Sequence, residues 1–238
     1  LSPDAAVLRV RLPLHLNLRF LAGQYCDFIL PSGIRRSYSI ATAPRIEGVV
    51  DLEFHLRHLP GGVFTDHVFS ALKTRDKFDL EGPLGTFFLR DSPKPAIMLA
   101  SGTGYAPIRS ILLENLPKRT GRKFTLYWGG RSLRDLYMIE EAQQLAQEYE
   151  DFEFVPVLSD VTADDPWQGR TGFVHLAVIE DPPAMDAFEV YACGVPVMVD
   201  AARHDFTTIC NLPADAFFAD SFVSEADIAR TPAAEALA

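Results

Sequence analysis

From Ala96 onward, short apolar runs alternate with segments of helical period, and few folds accept that pattern. The strand readings are 96–100, 123–128, 152–157 and 187–192, with a last short strand at Ala216–Phe218. Between them the spacing predicts helices at 105–116, 138–149, 173–179 and 196–209. Strands that alternate with helices, joined by right-handed crossovers, build a parallel sheet covered on both faces. The expectation is a doubly wound α/β unit of five strands in the order 3-2-1-4-5.

Such sheets bind ligands beyond the carboxyl ends of the strands, where the strand order reverses. The first and fourth strands mark that point. The first ends in Ser101-Gly102-Thr103-Gly104, the fourth in Ala192-Cys193-Gly194-Val195-Pro196. Two turns of small residues, distant in the chain, should therefore face one crevice. Gly102 and Gly104 let the backbone approach a ligand. The helix that follows offers unpaired N–H groups to a phosphate. Pro107 stands where a G-x-G-x-x-G turn has its third glycine. The second strand ends in Gly129-Gly130-Arg131. Asp135, a little further on, could hold a ribose hydroxyl, whereas Arg131 or Arg134 could meet a 2′-phosphate. The residues alone leave NADH and NADPH open.

The chain before Ala96 has a different texture. Ala6–Leu12, Gln24–Leu30, Val49–Leu56, Lys77–Leu80 and Thr86–Leu89 read as strands, and Phe64–Leu72 reads as a short helix. This part should be a small β-barrel, and Asp91–Pro95 a linker by composition. Within it, Arg36-Ser37-Tyr38-Ser39 combines a phosphate-reading cation, a flat ring for stacking and small hydroxyls. His55 and Arg57 share a strand face. Gly61-Gly62-Val63-Phe64-Thr65 is a second glycine turn that opens a helix. Two anion-suited turns in two domains point to two nucleotides.

Composition removes other classes. A net charge of −10 argues against nucleic acid as the main partner. No apolar run approaches the roughly 20 residues of a membrane helix, and no secretory signal is visible. Cys26, Cys193 and Cys210 are too few and too scattered for a disulfide framework, a metal pair or an iron–sulfur cluster. No metal is expected, and a reducing, cytoplasmic setting is. The first residue is Leu1, so we expect a fragment of a longer protein. Ala229–Ala238 reads as a loose tail.

Taken in order, these motifs resemble the ferredoxin–NADP reductase superfamily from about Val7 to Phe222. Arg36-Ser37-Tyr38-Ser39 matches its flavin motif R-x-Y-S, and Gly62-Val63-Phe64-Thr65 its G-x-x-S/T turn. Gly102-Thr103-Gly104-Tyr105-Ala106-Pro107 matches G-T-G-x-A-P, and Cys193-Gly194-Val195-Pro196 its later nucleotide turn, with Val195 where proline is common. Within the superfamily the chain is most similar to reductase components of bacterial oxygenases and to deoxysugar (glucoseen) reductases. The resemblance implies a six-stranded antiparallel Greek-key FAD barrel over 1–92 and a five-stranded NAD(P)-binding α/β domain over 93–238.

It also implies roles. Arg36 would contact the flavin diphosphate, Tyr38 would stack on the isoalloxazine, and Ser39 with Ile40 beside it would reach the N5 edge. His55 and Arg57 would line the ribityl and phosphate path, with Gly62, Val63 and Thr65 closing the diphosphate. Gly102, Thr103 and Gly104 would receive the nicotinamide nucleotide, with Arg131 or Asp135 at its ribose. Cys193 and Gly194 would lie by the nicotinamide, and Phe222 would cover the flavin. Ser39, Cys193 and Phe222 are then the catalytic candidates. Asp135-Leu136-Tyr137 resembles NADH-using members. The implied activity passes hydride from NADH to FAD, then single electrons to an iron–sulfur domain or ferredoxin and a downstream oxygenase or reductase. Two other readings remain: a reductase of free flavin, and a flavin-binding electron-transfer subunit without its own NAD(P)H reaction.

Overall fold

The computed structural model describes residues 2, 4–162, 165–181 and 184–222. The expected tail at Ala229–Ala238 lies outside them.

The first half is antiparallel. β1 (Ala5–Arg11) pairs with β4 (Asp51–Arg57), and β2 (Tyr25–Ile29) lies between β3 (Arg35–Ser39) and β5 (Asp79–Leu84). Isolated bridges at Leu18–Val49 and Ile40–Phe54 join the segments around them. α1 (Val63–Ser70) is the helix of this half. Alternation sorts each strand into two faces. In β4, Leu52, Phe54 and Leu56 point into a core shared with Phe28, Ile40 and Phe64. Glu53, His55 and Arg57 point the other way, and that outer face matters below.

Thr86–Leu89 is not a strand. Its apolar residues leave the sheet to serve the other half: Phe87 is buried in the second core, edge-on to Tyr191 at 6.2 Å. The apolar run Phe87-Phe88-Leu89 marks a crossing point between the halves.

The second half is the parallel sheet. Its strands are β6 (Ala96–Ser101), β7 (Phe124–Gly130), β8 (Phe152–Leu158), β9 (Arg170–Thr171), β10 (Glu189–Gly194) and β11 (Phe217–Ser221), in the order β11-β10-β6-β7-β8-β9. The five strands read from sequence take the order expected, and β9 adds a sixth, two-residue strand at the edge. α2 (Tyr105–Asn115), α3 (Ile139–Glu148), α4 (Val174–Glu180) and α5 (Pro196–Thr208) are its helices. β10 is buried along its whole length, as a central strand covered on both faces must be. Among the described residues no helix is long and apolar enough to cross a membrane.

The linker segment is fastened down. Arg122 donates to the carbonyls of Arg90 (2.9 Å) and Lys94 (2.7 Å) while pairing with Glu189 at 2.8 Å. The Tyr191 hydroxyl accepts from the Arg90 N–H at 2.9 Å.

Candidate functional site

At the carboxyl end of β6, Gly102-Thr103-Gly104 forms one turn of 3-10 helix that runs straight into α2. Gly102 has φ +51°, a left-handed conformation that favours glycine. Gly104 lies against the next strand: a Cβ there would sit 2.1 Å from the Cys193 carbonyl oxygen and 3.0 Å from the Gly194 Cα. The Val195 N–H donates to Ser101 Oγ at 3.2 Å. The two turns predicted to share a crevice do meet. Thr103 is half-buried beside them.

In the first half, the register places Arg36 opposite Phe28 and Tyr38 opposite Cys26, so both side chains share the core-facing side of β3. Tyr38 packs on Phe64 at 5.3 Å and edge-on to Phe28 at 5.7 Å. Burial, opposed by Arg36, pushes its hydroxyl up to about 12. Ser39 and Ile40 are buried. The second glycine turn is braced from within. Thr65 Oγ1 donates to the Leu59 carbonyl at 3.0 Å, and Asp66 accepts from the Gly61 N–H at 3.0 Å and contacts His58 at 2.8 Å. Gly62 caps α1 without any side-chain hydrogen bond, so the N–H groups of Val63 and the first turn are left to a ligand or solvent. Thr65 is 4% exposed, and its hydroxyl shapes the turn from within.

Between the two turns runs the outer face of β4. Arg57 pairs through Nη1 with Asp135 at 2.6 Å and Asp4 at 3.1 Å. Its guanidinium lies 3.7 Å from where a Gly102 Cβ would be. Arg57 Nη2 is buried with no hydrogen-bond partner. Buried donors are almost always satisfied, and leaving one unpaired costs about 1–3 kcal/mol. An unpaired guanidinium nitrogen beside a glycine turn is what an anionic group such as a phosphate would complete.

Two assignments made from the sequence change. Asp135 is buried: its Oδ2 accepts from the Arg131 and Ser132 N–H groups at 2.9 Å each, and its Oδ1 is taken by Arg57. Burial alone would raise its pKa; the Ser132 and Arg57 contacts outweigh that and hold it below the usual carboxylate range. Asp135 therefore braces the seam between halves, buried with both oxygens engaged. Arg131 is exposed beside it. His55 is 4% exposed and both of its ring nitrogens are used. Nε2 faces Glu53 at 3.2 Å and Nδ1 faces the Tyr137 hydroxyl at 2.8 Å. An ionised Glu53 only accepts, so Nε2 carries the proton and the Tyr137 hydroxyl donates to Nδ1. His55 is a seam residue, its ring held between Glu53 and Tyr137.

Burial holds His55 below its ordinary value of 6.5 against the pull of Glu53. Its hydrogen bond with His55 keeps Glu53 at about 2 despite burial. Folding thus favours a neutral ring. That stability is complete above pH 6.5 and is lost as pH falls through the lower folded value. Urea unfolding measured from pH 8 to pH 4 should show wild-type stability declining below about 6.5. His55→Phe, which cannot take the proton, should decline less.

Cys193 is wholly buried at the end of β10, opposite Asp220 in β11. Burial, and then Asp220, push its thiol well above the ordinary value. Burial raises the Asp220 carboxyl as well. Phe222 is half-buried, and its N–H donates to the Gly194 carbonyl at 2.8 Å, which ties the chain after β11 to the same turn. All three cysteines are free and buried, each with a raised thiol. Iodoacetamide at pH 8 should leave all three unlabelled in the folded chain and alkylate them in urea, read by intact mass.

Sequence reasoning did not find Arg109, Glu141 or Tyr137. Arg109 makes a two-pronged pair with Glu141 (2.6 and 2.8 Å), donates to the Ala41 carbonyl at 2.9 Å and lies 3.5 Å from Glu53. Ser110 Oγ donates to the Thr42 carbonyl at 2.6 Å. The available signal was four polar residues, Asp51, Glu53, His55 and Arg57, at alternate positions of β4.

Two family models match: an oxidoreductase FAD-binding domain over residues 1–89 and an oxidoreductase NAD-binding domain over residues 98–204. The chain is 42% identical over 223 residues to CDP-6-deoxy-L-threo-D-glycero-4-hexulose-3-dehydrase reductase of Yersinia pestis, covering 94% of this chain and 66% of that protein. It is 40% identical over 204 residues to the reductase subunit of an aromatic O-demethylase of Amycolatopsis, covering 83% of this chain and 60% of the relative. The chain thus spans about two thirds or less of these relatives. The crystal structure of an Amycolatopsis cytochrome P450 reductase superposes with a TM-score of 0.84 at 35% identity, over 93% of this chain and 66% of that one. With both domain matches and both nucleotide turns in place, this chain belongs to the ferredoxin reductase-like oxidoreductases that join an FAD-binding to an NAD-binding domain.

Proposed function

We propose that this chain is the flavin- and nicotinamide-binding part of an NAD(P)H-dependent reductase that delivers electrons to an iron–sulfur partner. The observation that carries the reading is Arg57: an unpaired buried guanidinium nitrogen next to Gly102, on the strand that leads to the uncapped helix at Gly62. FAD, when bound, supplies a ring that accepts hydride and releases electrons one at a time. The chain's own part is to hold and exclude. Arg36, Arg57 and the first turn of α1 neutralise phosphate charge. Tyr38, backed by Phe64, offers a flat face. Ser39 offers a hydroxyl at the floor. Cys193 is a small wall under the crevice, and Phe222, anchored through Gly194, screens it from water. Gly102, Thr103 and Gly104 receive the nicotinamide nucleotide, and exposed Arg131 is the nearest candidate for its ribose end.

We further propose that the antiparallel sheets, five strands in all, form one Greek-key barrel, supported by the Ile40–Phe54 bridge between them, with the segment at the Leu18–Val49 bridge in the place of the expected sixth strand. A boundary at 92/93 is supported by the family matches on either side. The names of the relatives, reductases of a dehydrase and of an O-demethylase, support a protein electron acceptor, and three reduced thiols fit a cytoplasmic setting.

The test is direct. The purified chain should bind FAD, and anaerobic NADH should bleach the flavin band faster than NADPH. Bound FAD that neither nucleotide bleaches refutes the reductase reading, and a colourless chain that reduces added flavin favours a free-flavin reductase. Tyr38→Ala should weaken FAD binding by about 1–3 kcal/mol, as loss of a stacking platform does elsewhere, measured by flavin fluorescence titration.

A further inference from the structure

Three side chains on one face of β4 meet two segments of the second half, α2 and the connection that follows β7. Glu53 faces Arg109 of α2 at 3.5 Å, His55 accepts from Tyr137 at 2.8 Å, and Arg57 pairs with Asp135 at 2.6 Å. These elements are the ones that carry the nucleotide turns. α2 grows directly out of Gly102-Thr103-Gly104, and Asp135 and Tyr137 follow the end of β7 at Gly130 and Arg131. At its other end, β4 runs through His58 into the turn at Gly62. One rigid strand therefore touches both halves of the candidate site, in rungs spaced by its two-residue repeat.

From this geometry we infer that the outer face of β4 is a spacer between the two nucleotide sites, and that His55 and Tyr137 are positioning residues for hydride transfer. The inference rests on the reductase reading above. The outer rungs are ion pairs, which tolerate small displacements. The central rung is a directional hydrogen bond between two buried rings, 5.4 Å apart and near-perpendicular. It fixes distance and angle together. A misplacement of the order of 1 Å can cost about a hundredfold in rate.

The central rung also depends on one proton. Tyr137 can donate only while Nδ1 is unprotonated. The charged groups acting on this imidazole are Glu53 from its own strand, Arg109 from α2 and Glu141 from α3; around them Arg9 pairs with Glu53, Asp4 and Asp135 pair with Arg57, and Tyr105 and Arg57 act on Tyr137. Glu53 accepts from Nε2–H in either state, so a second proton can enter only at Nδ1, where it reverses the bond: Nδ1–H then donates, and the buried Tyr137 hydroxyl must turn its own proton away from the ring. Hydride transfer should therefore have an acid limb that belongs to neither nucleotide.

The experiment uses the full chain loaded with FAD, together with nitrogen NMR of His55 in the same chain without FAD. In wild type the ring should be the Nε2–H tautomer and should protonate below 6.5, its ordinary value. The limiting rate of flavin reduction by NADH should fall over the same range. Tyr137→Phe, which keeps the ring and removes the hydroxyl, should retain FAD, lower the limiting rate about tenfold or more at pH 7.5, and shift the His55 titration. Should that variant not fold, His55→Asn keeps an acceptor for Tyr137 and removes the titrating group, so it should retain FAD and lose the acid limb. An unchanged rate, acid limb and His55 titration in Tyr137→Phe, or an unchanged acid limb in His55→Asn, overturns the inference. Failure of the reductase reading looks different: wild type itself would keep oxidised FAD with either nucleotide.

Discussion

Gly104→Ala is expected to destabilise the chain by about 3 kcal/mol or more, beyond what an ordinary surface glycine would show. The added methyl would lie 2.1 Å from the Cys193 carbonyl oxygen and 2.6 Å from its carbon. Neither atom belongs to a side chain that can swing away. Both are backbone of β10, a strand hydrogen-bonded on both sides. For a chain of this size that cost corresponds to a drop of about 10 °C in melting temperature. Gly102→Ala is the matched control. Its methyl meets only the Arg57 guanidinium, at 3.7 Å, so the fold loses about 1–2 kcal/mol from the left-handed φ alone. The same methyl stands where a phosphate would approach Arg57, so Gly102→Ala should lose nucleotide affinity out of proportion to stability. Differential scanning calorimetry and nucleotide titration of both variants separate the effects. Equal stability losses in the two would show that the packing of Gly104 on β10 is looser than described.

Arg109→Ala is the second large effect, at about 3 kcal/mol. Burial opposes the charge of Arg109, but Glu141 and then Glu53 outweigh it and its pKa is raised. Removing the cation leaves Glu141 with only the Tyr105 hydroxyl and takes one of two cations from Glu53, which is only 14% exposed on its side chain and keeps Arg9 and His55. It also leaves the Ala41 carbonyl without its donor. Arg109→Met combined with Glu141→Leu should recover much of the loss, because replacing both partners removes the uncompensated charge. A double-mutant cycle on urea unfolding measures the coupling. A loss of less than 1 kcal/mol in Arg109→Ala would place this pair with ordinary surface ion pairs.

The parallel half was legible because its signals are local. Each buried strand is a short apolar run, each helix repeats at its own period, and the strand order follows from crossover handedness. The meeting of Gly104 with Cys193 followed from that order alone. The errors arose where residues serve an element far away in the chain. Thr86–Leu89 is apolar like a buried strand because Phe87 and Leu89 cross to the other core. Asp135 looks like a ribose ligand until Arg57, 78 residues earlier, is seen to occupy it. His55 looks like a site residue until Tyr137, 82 residues on, takes Nδ1. Nothing in the spacing of either segment names its partner.

The bonds that hold Arg90 and Lys94 to Arg122, and Arg90 to Tyr191, bear on how the molecule comes apart. A free connector would let the barrel melt while the α/β sheet survived, giving two heat-absorption peaks. Here the connector is stitched to β10 through Tyr191 and to Arg122 just before β7, and β4 grips the opposite side. Neither half can lose its order without stripping donors from the other. Calorimetry should accordingly record one cooperative transition, and a protease offered the Pro93–Pro95 stretch should have to wait for the whole molecule to open before it cuts.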